Sequence, residues 1–381
     1  MSLITSPKFK RNVGKIIPFG VIWYLTGMSF LLSDTLATRN QNLNPGTDIS
    51  LTVPVFIFAS IAIFITGCLV GMIETLIVQK RFRGYSFLKK ITFKFVLYLS
   101  LILIVISITY PVAAVLETGL GFTDGEIWDK TLRFFLSLSF VSTVLQLSFS
   151  LILCLIYSAI SEHLGHSIFL NFFTGKYNEP IEEKRVFMFL DMKDSTTIAE
   201  RLEHKTYFQL LRDYYDVMSD PIINRLGEVY QYIGDEVVIS WKADQGFENN
   251  NCVACFFDIK ENLRSKADAF QSKYGVAPGF KAGLHVGDVT TGEIGALKKE
   301  IVFTGDVLNT TARIQGLCKE HNCDLIISSE VCAGLEDKDK LVTTALGDYT
   351  LKGKLNTTSL FAVHEQVDRV IQPNSLKSQQ A

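Results

Sequence analysis

The sequence predicts two unlike parts in one chain: a four-helix transmembrane domain, then an α+β domain of ferredoxin-like order. Three observations predict it. Four long apolar stretches fall within the first 160 residues, charge is divided unevenly between the halves, and the second half runs strand-helix-strand-strand-helix-strand. The chain has 381 residues, 48% hydrophobic and only 20% charged, a more apolar average than a soluble enzyme of this size carries. The excess is confined to the first half. Residues 1–160 hold 13 basic and 7 acidic residues, and the remainder holds 24 and 32. This much apolar residue excludes disorder. An acidic second half argues against nucleic acid as a partner, because phosphate binding needs clustered Lys and Arg.

The first domain spans 1–160. Ile16–Leu32, Leu51–Val78, Phe95–Leu116 and Phe134–Ile160 approach or exceed the roughly 20 apolar residues that cross a bilayer. Lys8, Lys10, Arg11 and Lys15 precede the first stretch, and Lys80, Arg81, Arg83, Lys89, Lys90 and Lys94 lie between the second and third. The positive-inside bias therefore puts both chain ends in the cytoplasm of an integral protein of the cell's inner or plasma membrane. Glu74, the one charged residue within the four stretches, is expected to reach the headgroups; the alternative is a functional intramembrane carboxylate. His163 and His166 read as interfacial surface residues rather than metal or haem ligands. Cys252 and Cys255 have CxxC spacing but lie in an apolar helical run with no second ligand pair, so a buried helix face is expected.

Residues 161–183 form a connector, 184–366 the second domain, and 367–381 a polar tail expected to be disordered. Arg185–Met192 reads as a strand, 194–226 as a long helix closed by Gly227, and Glu228–Ile233 with Val237–Trp241 as a hairpin. A second long helix covers 247–274. Strands follow at Phe280–Val286, Val289–Ile294, Ile301–Thr304 and Leu325–Ser328, with a helix over Val307–Lys319 and a terminal strand pair within Tyr349–Val363.

Asp191 ends the first strand and Asp235 sits in the hairpin turn. Neighbouring strands in this order bring both carboxylates to one sheet edge, beside the hydroxyls of Ser195, Thr196 and Thr197, a set suited to Mg²⁺ and a nucleotide triphosphate. Asn309 and Arg313 are spaced i, i+4 on one helix face, where an Arg can stabilise charge developing at phosphorus.

Phe189-Leu-Asp191-Met-Lys-Asp-Ser-Thr196, Tyr232-Ile-Gly-Asp235, Gly305-Asp-Val-Leu-Asn309-Thr-Thr-Ala-Arg313 and Leu351-Lys-Gly-Lys354 together resemble, in order, the motifs of the class III nucleotidyl cyclases, the adenylate and guanylate cyclase family. The resemblance covers about residues 184–365. It implies a cyclase domain in which Asp191 and Asp235 bind two Mg²⁺ (or Mn²⁺) ions per active site. Asn309 would orient the ribose and Arg313 would neutralise the transition state. Lys352 would hold the triphosphate, with Lys298 or Lys299 as the weaker candidate. The family's site is shared between subunits, which implies a homodimer. The base-reading positions depart from the usual pairs, being Gln231 and Val302. The expected activity is conversion of ATP to cyclic AMP and pyrophosphate, with GTP to cyclic GMP as the alternative. A catalytically silent signalling partner is disfavoured because all four chemical positions are present. The expected partners are the nucleotide, a second copy of the chain and the lipid bilayer.

Overall fold

The structure, a computed structural model, describes residues 6–39, 41, 44–78, 81, 87–164, 175–336, 341–351 and 357–364. It divides into two compact units, one mainly Phe9–Thr174 and the other mainly Gly175–Ala381.

The first unit carries α1 (Pro7–Thr38), α2 (Val53–Ile73), α3 (Phe87–Thr118), α4 (Gly125–Phe135) and α5 (Leu138–Leu164). Four of these are long and apolar enough to cross a membrane; the first and third extend beyond their apolar stretches at both ends. Glycine brings α1 and α2 together. A Cβ on Gly67 would meet the Phe19 carbonyl oxygen and the Trp23 Cβ at 2.7 Å, and one on Gly71 would meet the Phe19 ring at 2.8 Å. Small residues four apart let helix backbones approach closely where lipid offers no hydrophobic drive. Helix α4 was hidden in a charged loop: Ile127, Thr131 and Phe134 face inward while Glu126 and Arg133 lie in its terminal turns.

Glu74 departs from expectation. The end of α2 widens into a π-helical turn, Glu74–Val78, and Glu74 is fully buried. Its Oε1 accepts hydrogen bonds from Lys94 Nζ at 2.5 Å and Ser158 Oγ at 3.2 Å, and its Oε2 accepts one from the Tyr98 hydroxyl. Lys94 is not a loop residue. Helix α3 starts eight positions before the apolar stretch at Phe95, so the ammonium is carried to the buried carboxylate instead of to headgroups. Of the two histidines after the fourth stretch, His166 and the His163 side chain lie outside the described residues.

The second unit is a mixed sheet with helices on both faces. Its elements are β1 (Ile181–Met192), α6 (Ser195–Arg201), α7 (His204–Asn224), β2 (Glu228–Ile233), β3 (Glu236–Lys242), α8 (Ala243–Phe247), α9 (Asn251–Ser265) and α10 (Ala267–Tyr274). They continue with β4 (Phe280–Ile294), β5 (Glu300–Thr304), α11 (Asp306–Gly316), β6 (Leu325–Ser328), α12 (Ser329–Gly334), β7 (Val342–Tyr349) and β8 (Thr358–His364). The strand order is β2-β3-β1-β4-β6-β8-β7, with β5 paired to β4. The first four strands are antiparallel neighbours in the ferredoxin-like order, and β6 extends the sheet in parallel with β4.

Both long helices are broken, the first between α6 and α7 and the second at Lys266. The two strands expected over 280–294 are one, and the terminal pair begins earlier, at Val342. Burial in β1 is continuous from Arg185 to Leu190 rather than alternating, because both faces are covered. Val186, Met188 and Leu190 pack against α7 and α9 residues such as Tyr214 and Phe256; Phe187 and Phe189 pack with Val307 of α11. Cys252 and Cys255 are fully buried in this core, and desolvation pushes the Cys252 thiol up to about 12.

Candidate active site

Asp191 follows Phe187 and Phe189 at the period of two, so its carboxylate emerges on the face covered by α11. There Gln315 Nε2 of α11 donates to Asp191 Oδ2 at 3.3 Å, and Lys281 Nζ, from the cross-strand partner on β4, stands 3.4 Å from the same oxygen. Helix α11 comes this close because Gly283 lies beneath it; a Cβ there would be 2.4 Å from the Gln315 nitrogen.

The hairpin β2–β3 pairs Ile233 with Glu236 and leaves Gly234 and Asp235 as its two-residue turn. Gly234 has φ +64°, the left-handed region that glycine enters without cost, and the Tyr215 hydroxyl donates to its carbonyl oxygen. The β1–β3 register ends with Leu190 opposite Val237, which sets Asp191 beside the turn. The two carboxyls lie within hydrogen-bonding reach of one another. Asp235 Oδ2 is buried with no hydrogen-bond donor among the described residues. Burial, then the Asp235 carboxyl, raises Asp191 above the ordinary carboxylate range, with Lys281 offsetting part of the shift. Burial and the same two aspartates push Glu236 up to about 6. Two converging carboxylates with an oxygen lacking any donor are a donor set that fits a hard divalent cation.

Asn309 is exposed and Arg313 half-buried on α11. Among the described residues, no hydrogen bond or ion pair joins either of them to the aspartates. Gln231 is exposed on β2 opposite Val238, and Val302 half-buried on β5 opposite Gly292. Lys298 and Lys299 are tied locally, to Glu300 and Glu293. Lys352 lies outside the described residues. Lys281, Gln315 and Glu236 were missed by sequence reasoning, since only strand register and helix placement bring them to Asp191.

Residues 178–364 match the adenylate and guanylate cyclase catalytic domain. They belong to that family. The chain resembles adenylate cyclase 2 of Rhizobium meliloti (strain 1021), with 36% identity over 217 residues, 56% of this chain and 60% of that protein. Adenylate cyclase 1 of the same strain is 29% identical over 185 residues, 46% of this chain and 27% of that protein. The chain thus spans 60% or less of the length of these curated relatives. A bacterial light-regulated adenylyl cyclase structure superposes with a TM-score of 0.50 at 20% identity, covering 57% of this chain and 63% of the other; this likeness concerns the fold of the cyclase domain.

Proposed function

We propose that the chain is a membrane-anchored adenylate cyclase that converts ATP to 3′,5′-cyclic AMP and pyrophosphate as a homodimer. The observation that carries this reading is the half-buried Asp191–Asp235 pair, with one buried oxygen lacking a donor among the described residues, set in a domain of the cyclase family. Asp191 and Asp235 would hold two Mg²⁺ or Mn²⁺ ions, whose chemistry when bound is Lewis acidity toward the α-phosphate and a lowered pKa for the ribose 3′-hydroxyl. Asn309 orients the ribose, and Arg313 offsets negative charge growing on the phosphoryl oxygens as pyrophosphate departs. Lys352 binds the triphosphate. In a single chain, no hydrogen bond or ion pair among the described residues links Asn309 and Arg313 to the acidic pair. This supports a site completed by the Asn309 and Arg313 of a second copy.

Gln231 reads the base through an amide that offers both a donor and an acceptor, and Val302 contributes shape alone. That dual character leaves GTP as the alternative substrate. The four long helices anchor the protein in the bilayer, and the basic residues at the start of α1 and over 80–94 hold both ends in the cytoplasm.

The test is turnover by the purified full-length protein with Mg²⁺ and either nucleotide. Cyclic AMP from ATP at a rate exceeding cyclic GMP from GTP is expected. A faster GTP reaction overturns the substrate assignment, and absence of both products overturns the cyclase reading.

A further inference from the structure

Arg185 is a charged residue in the middle of a sheet, only 1% exposed, and no step assigned above uses it. A buried charge is costly unless paired. Arg185 is paired across several strands. Nη2 donates to Glu228 Oε2 on β2 at 2.8 Å and to Ser240 Oγ on β3 at 3.0 Å. Nη1 donates to Glu183 Oε1 at 3.3 Å, and that oxygen also accepts the Thr291 hydroxyl of β4 at 2.7 Å. Its Nε–H is buried without an acceptor among the described residues. Incomplete pairing makes it a poor device for stability alone, since an apolar residue at such a site is often neutral or better.

What the guanidinium does beyond pairing is stack. It lies 4.7 Å from the centre of the Phe303 ring on β5. Phe303 adjoins Val302, and its backbone N–H donates to the Tyr230 hydroxyl at 3.4 Å, the two rings being 4.8 Å apart. Tyr230 adjoins Gln231, and the β2–β3 register slips between Val229 and Gln231. A bulge of this kind leaves one residue unpaired and re-aims the side chains beside it. Residues Gln231 and Val302 therefore ride on adjacent members of one stack, Tyr230–Phe303–Arg185. Strand β5 pairs with β4 and lies off the main strand path, so backbone pairing leaves its distance from β2 to these side chains.

We propose that Arg185 is a positioning residue for nucleotide-base recognition, setting through Phe303 and Tyr230 the spacing between the strands that carry Gln231 and Val302. The proposal rests on the reading of those two residues as the base-reading pair. The planar face of Arg is needed: a lysine keeps the charge but neither stacks over Phe303 in the same way nor forks between Glu228, Ser240 and Glu183.

The experiment compares kcat and KM for ATP and GTP in the full-length protein for Arg185→Lys, Phe303→Leu and Gln231→Ala. Arg185→Lys and Phe303→Leu are expected to raise the KM for ATP about 10-fold and narrow the ATP-to-GTP ratio, with kcat within about 2-fold of wild type. Phe303→Leu keeps the buried charge and its partners, so it carries the test if Arg185→Lys fails to fold. A fall in kcat at unchanged KM in Phe303→Leu overturns the proposal, as does no change in either constant. If Gln231→Ala alone shifts KM and the ratio, base reading stands and the positioning role is overturned. If Gln231→Ala moves neither, the base-reading assignment itself fails, and the proposal with it.

Discussion

Each unit holds a carboxylate with a buried oxygen, Glu74 after α2 and Asp235 in the β2–β3 turn, and the two are treated in opposite ways. Glu74, in the membrane unit, has a donor for each oxygen, supplied by Lys94, Tyr98 and Ser158. Asp235, in the cyclase domain, has a buried oxygen with no donor and a second carboxyl, Asp191, against it. The first is a closed network that ties α2, α3 and α5 together. The second is a charge arrangement with a deficit of positive partners, which is how a cation site differs from a structural ion pair. Glu74 is fully buried and Asp235 half-buried, and their hydrogen-bond satisfaction differs in the same sense.

Breaking the closed network has the largest expected effect. Lys94→Met leaves the Glu74 carboxylate buried without its counter-charge, and should cost the folded membrane unit about 3–5 kcal/mol. Glu74→Gln should cost less, because the lysine stem can carry its ammonium toward the interface. Thermal unfolding of the full-length protein in detergent reads both. A wild-type melting temperature in Lys94→Met would contradict the closed-network description.

The open pair responds in reverse. Asp235→Asn should lower cyclase activity about 100-fold or more. In metal-free buffer the same change removes like-charge repulsion from Asp191, so stability should stay level or rise. Marked destabilisation without metal would make Asp235 a structural residue like Glu74.

A surface ion triad in the cyclase domain supplies the smallest effect. Burial opposes it, yet the ammonium groups of Lys193 and Lys260 hold Asp324 below the ordinary carboxylate range. A depressed folded value contributes stability above the unfolded pKa of about 3.9 and loses it as pH falls through the lower folded value. Asp324→Asn should therefore cost under about 1 kcal/mol at neutral pH and flatten the acid limb of the stability curve. An unchanged limb would remove these lysines from the account of acid stability.

How much of this was legible follows the range of each interaction. The four apolar helices could be read from composition because bilayer thickness sets a length, and Asp191 and Asp235 because a strand end and a hairpin turn are local features. Asn309 and Arg313 share a helix face by spacing alone. The partners were not legible. Lys94 looked like a loop residue because hydropathy marks where a helix stops being apolar, not where it starts. Lys281 reaches Asp191 only through the β1–β4 register, and Gln315 only because Gly283 lets α11 settle onto the sheet. Arg185 looked like the edge of an apolar strand, and its stack on Phe303 depends on β5 folding back along β4.

The central claim is that one chain holds two incomplete halves of an active site, the acidic pair on one side and Asn309 with Arg313 on the other. Co-expression of full-length Asp191→Asn with full-length Arg313→Ala tests it most directly. Each variant alone should be nearly inactive. The mixture should recover about one quarter of wild-type cyclic AMP formation, since about half the dimers are mixed and each has one intact site of two. A mixture no more active than its parts would contradict the shared site.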